Sequence, residues 1–146
     1  MDMKKYKVGY TTGVFDLFHI GHLNLLKNAK AMCDHLIVGV STDEVVESYK
    51  LKKPIIPYAE RIAIVEAIRY VDQVVPQTDM DKMNAWKELH FDVMFHGDDW
   101  KGSALYDTYI ENFRKVGVEV EFLPHTQGTS STMLTTVLQE IKGDKA

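Results

Sequence analysis

This chain of 146 residues has one cysteine and no long apolar run, and both features limit the class of protein to which it can belong. A single cysteine, Cys33, forms no internal disulfide, which favours a reducing compartment and a buried thiol. No apolar stretch approaches the roughly 20 residues of a membrane-spanning helix, and the N-terminal MDMKKYK leads into no signal-peptide core. The net charge of −4 disfavours broad binding to nucleic acid. We therefore expect a soluble, cytoplasmic protein that binds neither membranes nor nucleic acid.

Strand and helix patterns alternate along the chain. The length and the 45% hydrophobic content suit one domain over residues 1–146, with 142–146 as a frayed tail. Strands are predicted at 6–12, 36–41, 71–75, 92–96 and 119–123; helices follow at 23–31, from 42, at 58–70, 80–89, 105–116 and about 131–141, with 49–57 as a loop. This alternation predicts an α/β fold, a doubly wound parallel sheet whose ligands bind at the C-terminal edge of the strands.

The stretch 11–22, TTGVFDLFHIGH, carries the strongest chemical signal. His19 and His22 lie between a strand and a helix, where residues three apart point to one side. Free backbone amides and the positive helix end favour an anion there, and Gly21 lets a phosphate approach closely. The pair is interpreted as two donors for one phosphate, or as two structural histidines. Zinc would need further ligands, and Cys33 lies more than two turns away.

Three other groups allow two interpretations each. Asp16 is either a carboxylate that stabilises the turn or part of the catalytic machinery. The lysines of YKLKKP are a solvated basic loop, or a flexible loop that closes over phosphates. The acids and tryptophan of GDDW form a capped turn or a site loop. Hydroxyls and a glycine at 126–132 precede the last helix and make a second phosphate cradle.

At these residues the chain resembles the cytidylyltransferase family of the HxGH nucleotidyltransferase superfamily. Five stretches carry the resemblance in order, from Tyr10 to about Leu138: GVFDLFHIGH, VSTDE, IRYVDQVVP, GDDW and HTQGTSST. The resemblance implies a five-stranded, Rossmann-like sheet of order 3-2-1-4-5. It implies transfer of CMP from CTP to a small phosphorylated alcohol, above all glycerol 3-phosphate, with release of pyrophosphate by direct in-line attack. A cytoplasmic homodimer that serves cell wall or capsule polymer synthesis is implied as well.

The resemblance also assigns roles to residues. His19 and His22 stabilise the transition state at the α-phosphate, and Mg²⁺ arrives with CTP rather than in a protein cage. Arg61 is either a phosphate contact or a simple surface charge. The implied catalytic residues are His19, His22, Asp16, Lys52 and Arg69. The implied nucleotide-binding residues are Val14, Phe15, His19, Ile20, Gly21, His22, Lys52, Arg69, Asp98, Trp100, His125, Thr126, Gln127, Gly128, Thr129, Ser130, Ser131 and Thr132, and the substrate-binding residues are Lys50 and Lys82.

Three departures from the family pattern keep alternatives open. His125 stands where an arginine is usual, Gln127 replaces an acid, and Val14 replaces a threonine. The first two changes remove charges of opposite sign together and alter how a triphosphate is held. The alternatives are another acceptor (glycerol 2-phosphate, choline phosphate or ethanolamine phosphate), ATP as the donor, or a nucleotide-binding protein that has lost turnover.

Overall fold

The computed structural model describes residues 5–50, 53–97, 104–124 and 131–144. Along this part of the chain the elements are β1 (Tyr6–Gly13), α1 (Ile20–Ala31), β2 (Cys33–Ser41), α2 (Asp43–Lys50), α3 (Tyr58–Glu66), β3 (Gln73–Gln77), α4 (Lys82–Leu89), β4 (Val93–Gly97), α5 (Ala104–Lys115), β5 (Glu119–Leu123) and α6 (Ser131–Asp144). The strands form one parallel sheet in the order β3-β2-β1-β4-β5. The predicted fold class and strand order are confirmed.

Two apolar clusters cover the two faces of the sheet. Leu26 of α1 and Val65 of α3 pack with Phe95 on one face. Tyr10 and Phe113 belong to the other cluster, which also includes side chains of α4. Helices α1 and α3 therefore lie on one face and α4 and α5 on the other, so the chain reverses its winding direction between β1 and β4. Ligand sites of doubly wound sheets form outside the carboxyl ends of the strands at this point.

The thiol of Cys33 is fully buried in the first cluster, as the sequence predicted. Its Sγ donates to the carbonyl of Ala29 at 3.4 Å. No helix among the described residues is long and apolar enough to cross a bilayer.

Strand β3 begins two residues later than predicted, and α3 ends at Glu66 rather than at residue 70. Asp72 explains the later start of β3. Its backbone N–H donates to the carbonyl of Leu36 at 3.0 Å, and its carboxylate accepts the N–H of Leu36 at 2.8 Å. This pairing holds the chain in a turn beside β2, and the strand starts only after it. Pro76 is tolerated because β3 is an edge strand.

Two helices are longer than predicted. Helix α2 extends to Lys50, so that residue ends a helix rather than lying in the predicted loop 49–57. Helix α6 continues to Asp144, so residues 142–144 of the predicted frayed tail are helical.

Candidate active site

The histidine motif starts helix α1 with its own side chains. His19 is the N-cap residue, and its Nδ1 accepts the backbone N–H of Gly21 at 3.0 Å. The Nδ1 of His22 accepts the N–H of His19 at 3.2 Å, which completes a reciprocal capping box. Such a box is normally built from Ser or Thr with Glu or Gln, whose oxygens satisfy the first amides of a helix. Helix α1 therefore begins within the histidine motif, at Ile20, which is three residues earlier than the predicted start at residue 23.

This arrangement corrects one expectation about phosphate binding. The sequence predicted that free amides at the helix start would receive a phosphate. For His19 and Gly21 this is wrong, because the imidazole rings already accept those two N–H groups. The imidazoles themselves are left as the polar groups that the motif can offer to an anion.

The capping bonds also set the tautomer of both rings. A nitrogen that accepts a hydrogen bond carries no proton, so each neutral ring is protonated at Nε2. Burial lowers the pKa of His22 to about 4, and the nearby His19 acts in the same direction while Asp16 opposes it. Burial also lowers the pKa of His19. With ring centroids 4.1 Å apart and planes 35° apart, the pair forms two neutral Nε2–H donors.

Two phenylalanines fix the orientation of the second ring. The rings of Phe15 and Phe18 pack on His22 with centroids 5.4 and 5.2 Å away. Phe15 was predicted to line the nucleotide, but the residue is only 4% exposed and its side chain belongs to the core. Any contact of Phe15 with a nucleotide therefore has to come from its backbone. Ile20, beside the motif, is instead half exposed at 51%.

The loop before the helix is held by two charged residues. Both carboxylate oxygens of Asp16 accept backbone N–H groups, from Ile55 at 2.8 Å and Ile56 at 2.9 Å. Arg61, for which a surface charge remained open, is 1% exposed. Its guanidinium donates to the carbonyl of Val14, the predicted nucleotide contact, at 2.7 Å. This loop thus depends on a buried arginine that was not predicted to be a site residue.

A second group of polar side chains lies on the α4 side of the sheet. Lys82, predicted on the substrate side, is the first residue of α4 and only 7% exposed. Burial lowers its pKa to about 8, and its ammonium stands 5.9 Å from the centre of the Tyr109 ring. His96 near the end of β4 is equally buried. Burial, and then the charge of Lys82, lower the pKa of His96 to about 3.

A cavity of about 240 Å³ lies between β3 and α4 and includes Lys82 in its lining. Gln77 at the end of β3 and the following Thr78 and Asp79 form part of one wall, and Asn84 of α4 forms part of the other. The cavity is on the face of the sheet opposite α1, whereas the histidine pair lies on the α1 side. Sequence reasoning did not identify His96 or this cavity.

The structure does not bring Arg69 to the histidine pair within one chain. Arg69 is exposed in the connection from α3 to β3, beside the turn that pairs with Leu36, far from the C-terminal end of β2. Several predicted contacts lie outside the described residues, namely Lys52, Asp98, Trp100 and His125 to Ser130, as do the side chains of Lys50, Ser131 and Thr132. Those assignments stay predictions.

The described residues contain no metal-binding cluster of side chains. No three His, Cys, Asp or Glu side chains within them cluster closely enough to hold an ion. Asp16 already accepts two amides, so its carboxylate is committed to the loop. Any Mg²⁺ that enters with a nucleotide would therefore take its oxygen ligands mainly from phosphate and water.

The doubly wound parallel sheet with a histidine pair after β1 fits a nucleotidyltransferase. The family described as Cytidylyltransferase-like matches residues 10–137. The chain is 40% identical over 134 residues to glycerol-3-phosphate cytidylyltransferase of Bacillus subtilis (strain 168), covering 91% of this chain and 95% of that one. For the Staphylococcus aureus (strain NCTC 8325 / PS 47) enzyme of that name the identity is 38% over 137 residues, covering 93% and 96%.

Among solved structures, the lipopolysaccharide core biosynthesis protein from Thermoplasma volcanium GSS1 is similar with a TM-score of 0.70 and 27% identity. That similarity covers 85% of this chain and 99% of the other. The chain belongs to the cytidylyltransferase-like family. The resemblance carried by the five sequence stretches is confirmed.

Proposed function

We propose that this protein is a glycerol-3-phosphate cytidylyltransferase that transfers CMP from CTP to glycerol 3-phosphate and releases pyrophosphate. Relatives of that name match along nearly the whole length of both chains. The observation that carries the proposal is the fixed pair of Nε2–H donors at the carboxyl end of β1. Two neutral donors at one point suit a reaction that builds charge on phosphate oxygens without needing a proton acceptor.

The reaction needs little covalent chemistry from the protein. A phosphate oxygen of the acceptor forms a bond to the α-phosphorus of CTP, and the bond from that phosphorus to the β-phosphate oxygen breaks. The electron pair leaves with pyrophosphate, and an already ionised acceptor has no proton to give up. His19 and His22 donate to the α-phosphate oxygens on which negative charge accumulates in the transition state.

Mg²⁺ bound together with CTP would supply positive charge that offsets the negative charge of the phosphates, and its oxygen ligands would come mainly from phosphate and water because Asp16 already accepts two backbone amides. Lysine and arginine side chains would neutralise the phosphate charge that Mg²⁺ does not offset. Lys82 is a buried cation on the opposite face of the sheet from the histidines, and its assignment to the acceptor phosphate rests on family resemblance. Lys50 and Lys52 for the two phosphate groups, and Arg69 for CTP, remain part of the proposal on family resemblance.

The product is an activated alcohol, which a transferase can consume by moving the alcohol phosphate onto a hydroxyl acceptor, and we propose that this acceptor is a growing polymer. Cell wall or capsule synthesis is the class of pathway that uses such a donor, and we place the reaction in the cytoplasm with its CTP. A homodimer remains part of this proposal on family resemblance.

Purified protein with Mg²⁺, CTP and glycerol 3-phosphate tests the proposal through pyrophosphate release and product mass. Glycerol 2-phosphate, choline phosphate and ethanolamine phosphate form the acceptor panel, and ATP replaces CTP in a parallel set. We expect release that requires CTP and is fastest with glycerol 3-phosphate. Faster turnover of another pair would reassign the substrate, and CTP binding without release on any acceptor would indicate a binding protein.

A further inference from the structure

We propose that Asp16 and Arg61 are positioning residues, which hold the loop 14–18 in a strained shape and thereby aim both histidine rings at the α-phosphate. The inference rests on the proposed function for its catalytic consequence. Its structural part, the effect on the rings, stands on the geometry alone. We refer to Asp16, Arg61 and Asp43 together as the loop clamp.

The loop contains unusual backbone strain. Phe15 has a φ of 56° and Leu17 a φ of 52°, on either side of Asp16. Side chains of this size rarely adopt the left-handed region, because Cβ crowds the backbone there. Such conformations persist only where surrounding contacts over-determine them, and they concentrate at functional sites.

Arg61 holds the backbone at Val14, just before the first strained residue, Phe15. Its Nη1 donates to the carbonyls of Val14 and Ser41, both at 2.7 Å. Its Nε donates to the carbonyl of Ile56 at 2.8 Å, and its Nη2 pairs with Asp43 at 2.7 Å. One planar cation therefore joins the loop, the end of β2 and the segment before α3. Lysine has no fork of donors that could reproduce this.

Asp16 supplies the contacts between the two strained residues. Its carboxylate accepts the amides of Ile55 and Ile56, the same segment that Arg61 holds through the carbonyl of Ile56. The loop is thus fixed at Val14 and again at Asp16, with Phe15 between them. Both carboxylate oxygens face amides, so the residue contributes position rather than proton transfer.

The loop transmits its shape to the donors over a short path. Phe18 is joined directly to His19, the N-cap of α1, and the rings of Phe15 and Phe18 contact the ring of His22. A change in the loop therefore changes the direction of both imidazoles and weakens the bonds to Nδ1 that fix their tautomer. Misplacement by about 1 Å from a remote change can cost about 100-fold in rate.

Two conservative variants test the clamp. Asp16→Asn keeps the size of the side chain but turns one acceptor oxygen into an NH₂ group that cannot accept an amide. Arg61→Lys keeps the charge and removes the fork, and Asp43→Asn is a third variant should Arg61→Lys not fold. Exposed Asp34→Asn and Arg114→Lys are matched controls. Folded fractions are checked by circular dichroism before kinetics.

We expect kcat of Asp16→Asn and Arg61→Lys to fall by about 100-fold while KM for CTP stays within about twofold. Long-range ¹H–¹⁵N spectra of the imidazoles should show fixed Nε2–H tautomers at pH 7 in the wild type and averaged tautomers in the variants. Controls should match the wild type in both measurements.

The clamp is overturned if the variants lose stability but keep wild-type kcat and histidine spectra, because Asp16 and Arg61 then serve folding alone. It is also overturned if Asp16→Asn chiefly loses CTP affinity, because the carboxylate then contacts the ligand. A wild type with normal histidine spectra but no turnover would refute the proposed function and leave the clamp to be decided by the spectra.

Discussion

The Nδ1 of His22 accepts the backbone N–H of His19 at 3.2 Å, while the two imidazole centroids stand 4.1 Å apart. One pair of side chains therefore both starts a helix and presents two donors. The H-x-G-H spacing serves both purposes, because N-cap and N3 positions are three residues apart and lie on one side of the helix. Because each histidine has both roles, an alanine substitution would change catalysis and the stability of the helix together.

His19→Asn separates the two roles. Asparagine is among the best N-cap residues, and its amide oxygen replaces the Nδ1 acceptor while the Nε2–H donor is lost. We expect an unfolding free energy near that of the wild type, and a kcat lower by about 10²–10³-fold, the range for loss of one transition-state donor. His19→Ala should show the same kinetic loss and also lose about 1 kcal/mol of stability.

The measurements are urea unfolding and steady-state pyrophosphate release. KM for CTP should change much less than kcat in both variants, because the donors act mainly in the transition state. Near-normal turnover of His19→Asn would show that the ring matters only as a helix cap.

Acid should destabilise the fold through its buried histidines. Burial lowers the pKa of His22 to about 4 and that of His96 to about 3, whereas an unfolded histidine titrates near 6.5. As the pH falls below 6.5 the unfolded chain binds protons that the folded chain does not, so stability is lost. By pH 5 the loss is on the order of 2 kcal/mol for each histidine.

Urea unfolding at pH 7.5, 6 and 5 measures this slope, and His96→Met should flatten it by removing one titrating group. The exposed His90→Asn is the control for loss of a histidine, and asparagine suits its left-handed backbone. An unchanged slope in His96→Met would show that His96 takes up its proton in the folded state.

Much of the fold and the histidine motif could be predicted because their causes are local. Apolar strands, helix periodicity and the H-x-G-H spacing can each be recognised from a few neighbouring residues. Arg61 could not be placed in this way, because the carbonyls that it binds belong to Val14, Ser41 and Ile56, which the fold alone brings together. The available signal was its position four residues before the buried Val65, on the apolar side of α3.

The role of His96 and the exact start of β3 were missed for a similar reason. His96 lies within the apolar strand β4 and gives no local sign that Lys82, fourteen positions earlier, lies beside it in the fold. The start of β3 depends on the pairing of Asp72 with Leu36, a contact across the sheet. Local patterns identified which elements exist, whereas tertiary hydrogen bonds decided where β3 begins and which charges are buried.

The histidine pair should give the reaction a flat pH dependence in the neutral range. Burial holds the pKa of His22 near 4, and burial also lowers the pKa of His19. His22 is therefore a neutral donor throughout the neutral range, and burial shifts His19 toward its neutral form as well, so kcat should not rise as the pH falls from 7.5 to 6. A kcat that rises as the pH falls through 6.5 would contradict this, because it would require an imidazolium. The measurement is kcat at saturating CTP and acceptor.

Lys82 should make acceptor binding sensitive to alkali. Burial lowers the pKa of its ammonium to about 8, so its charge is present below that pH and is lost above it. If Lys82 holds the acceptor phosphate, KM for glycerol 3-phosphate rises between pH 7.5 and 9 while KM for CTP changes less. Lys82→Met should have a raised KM for glycerol 3-phosphate already at pH 7.5, and this KM should not change further up to pH 9. Lys87→Met, on an exposed position of the same helix, should behave as the wild type. A wild-type acceptor KM that stays constant to pH 9, with no effect of Lys82→Met, would remove Lys82 from the acceptor site and leave it as a buried structural cation beside Tyr109 and His96.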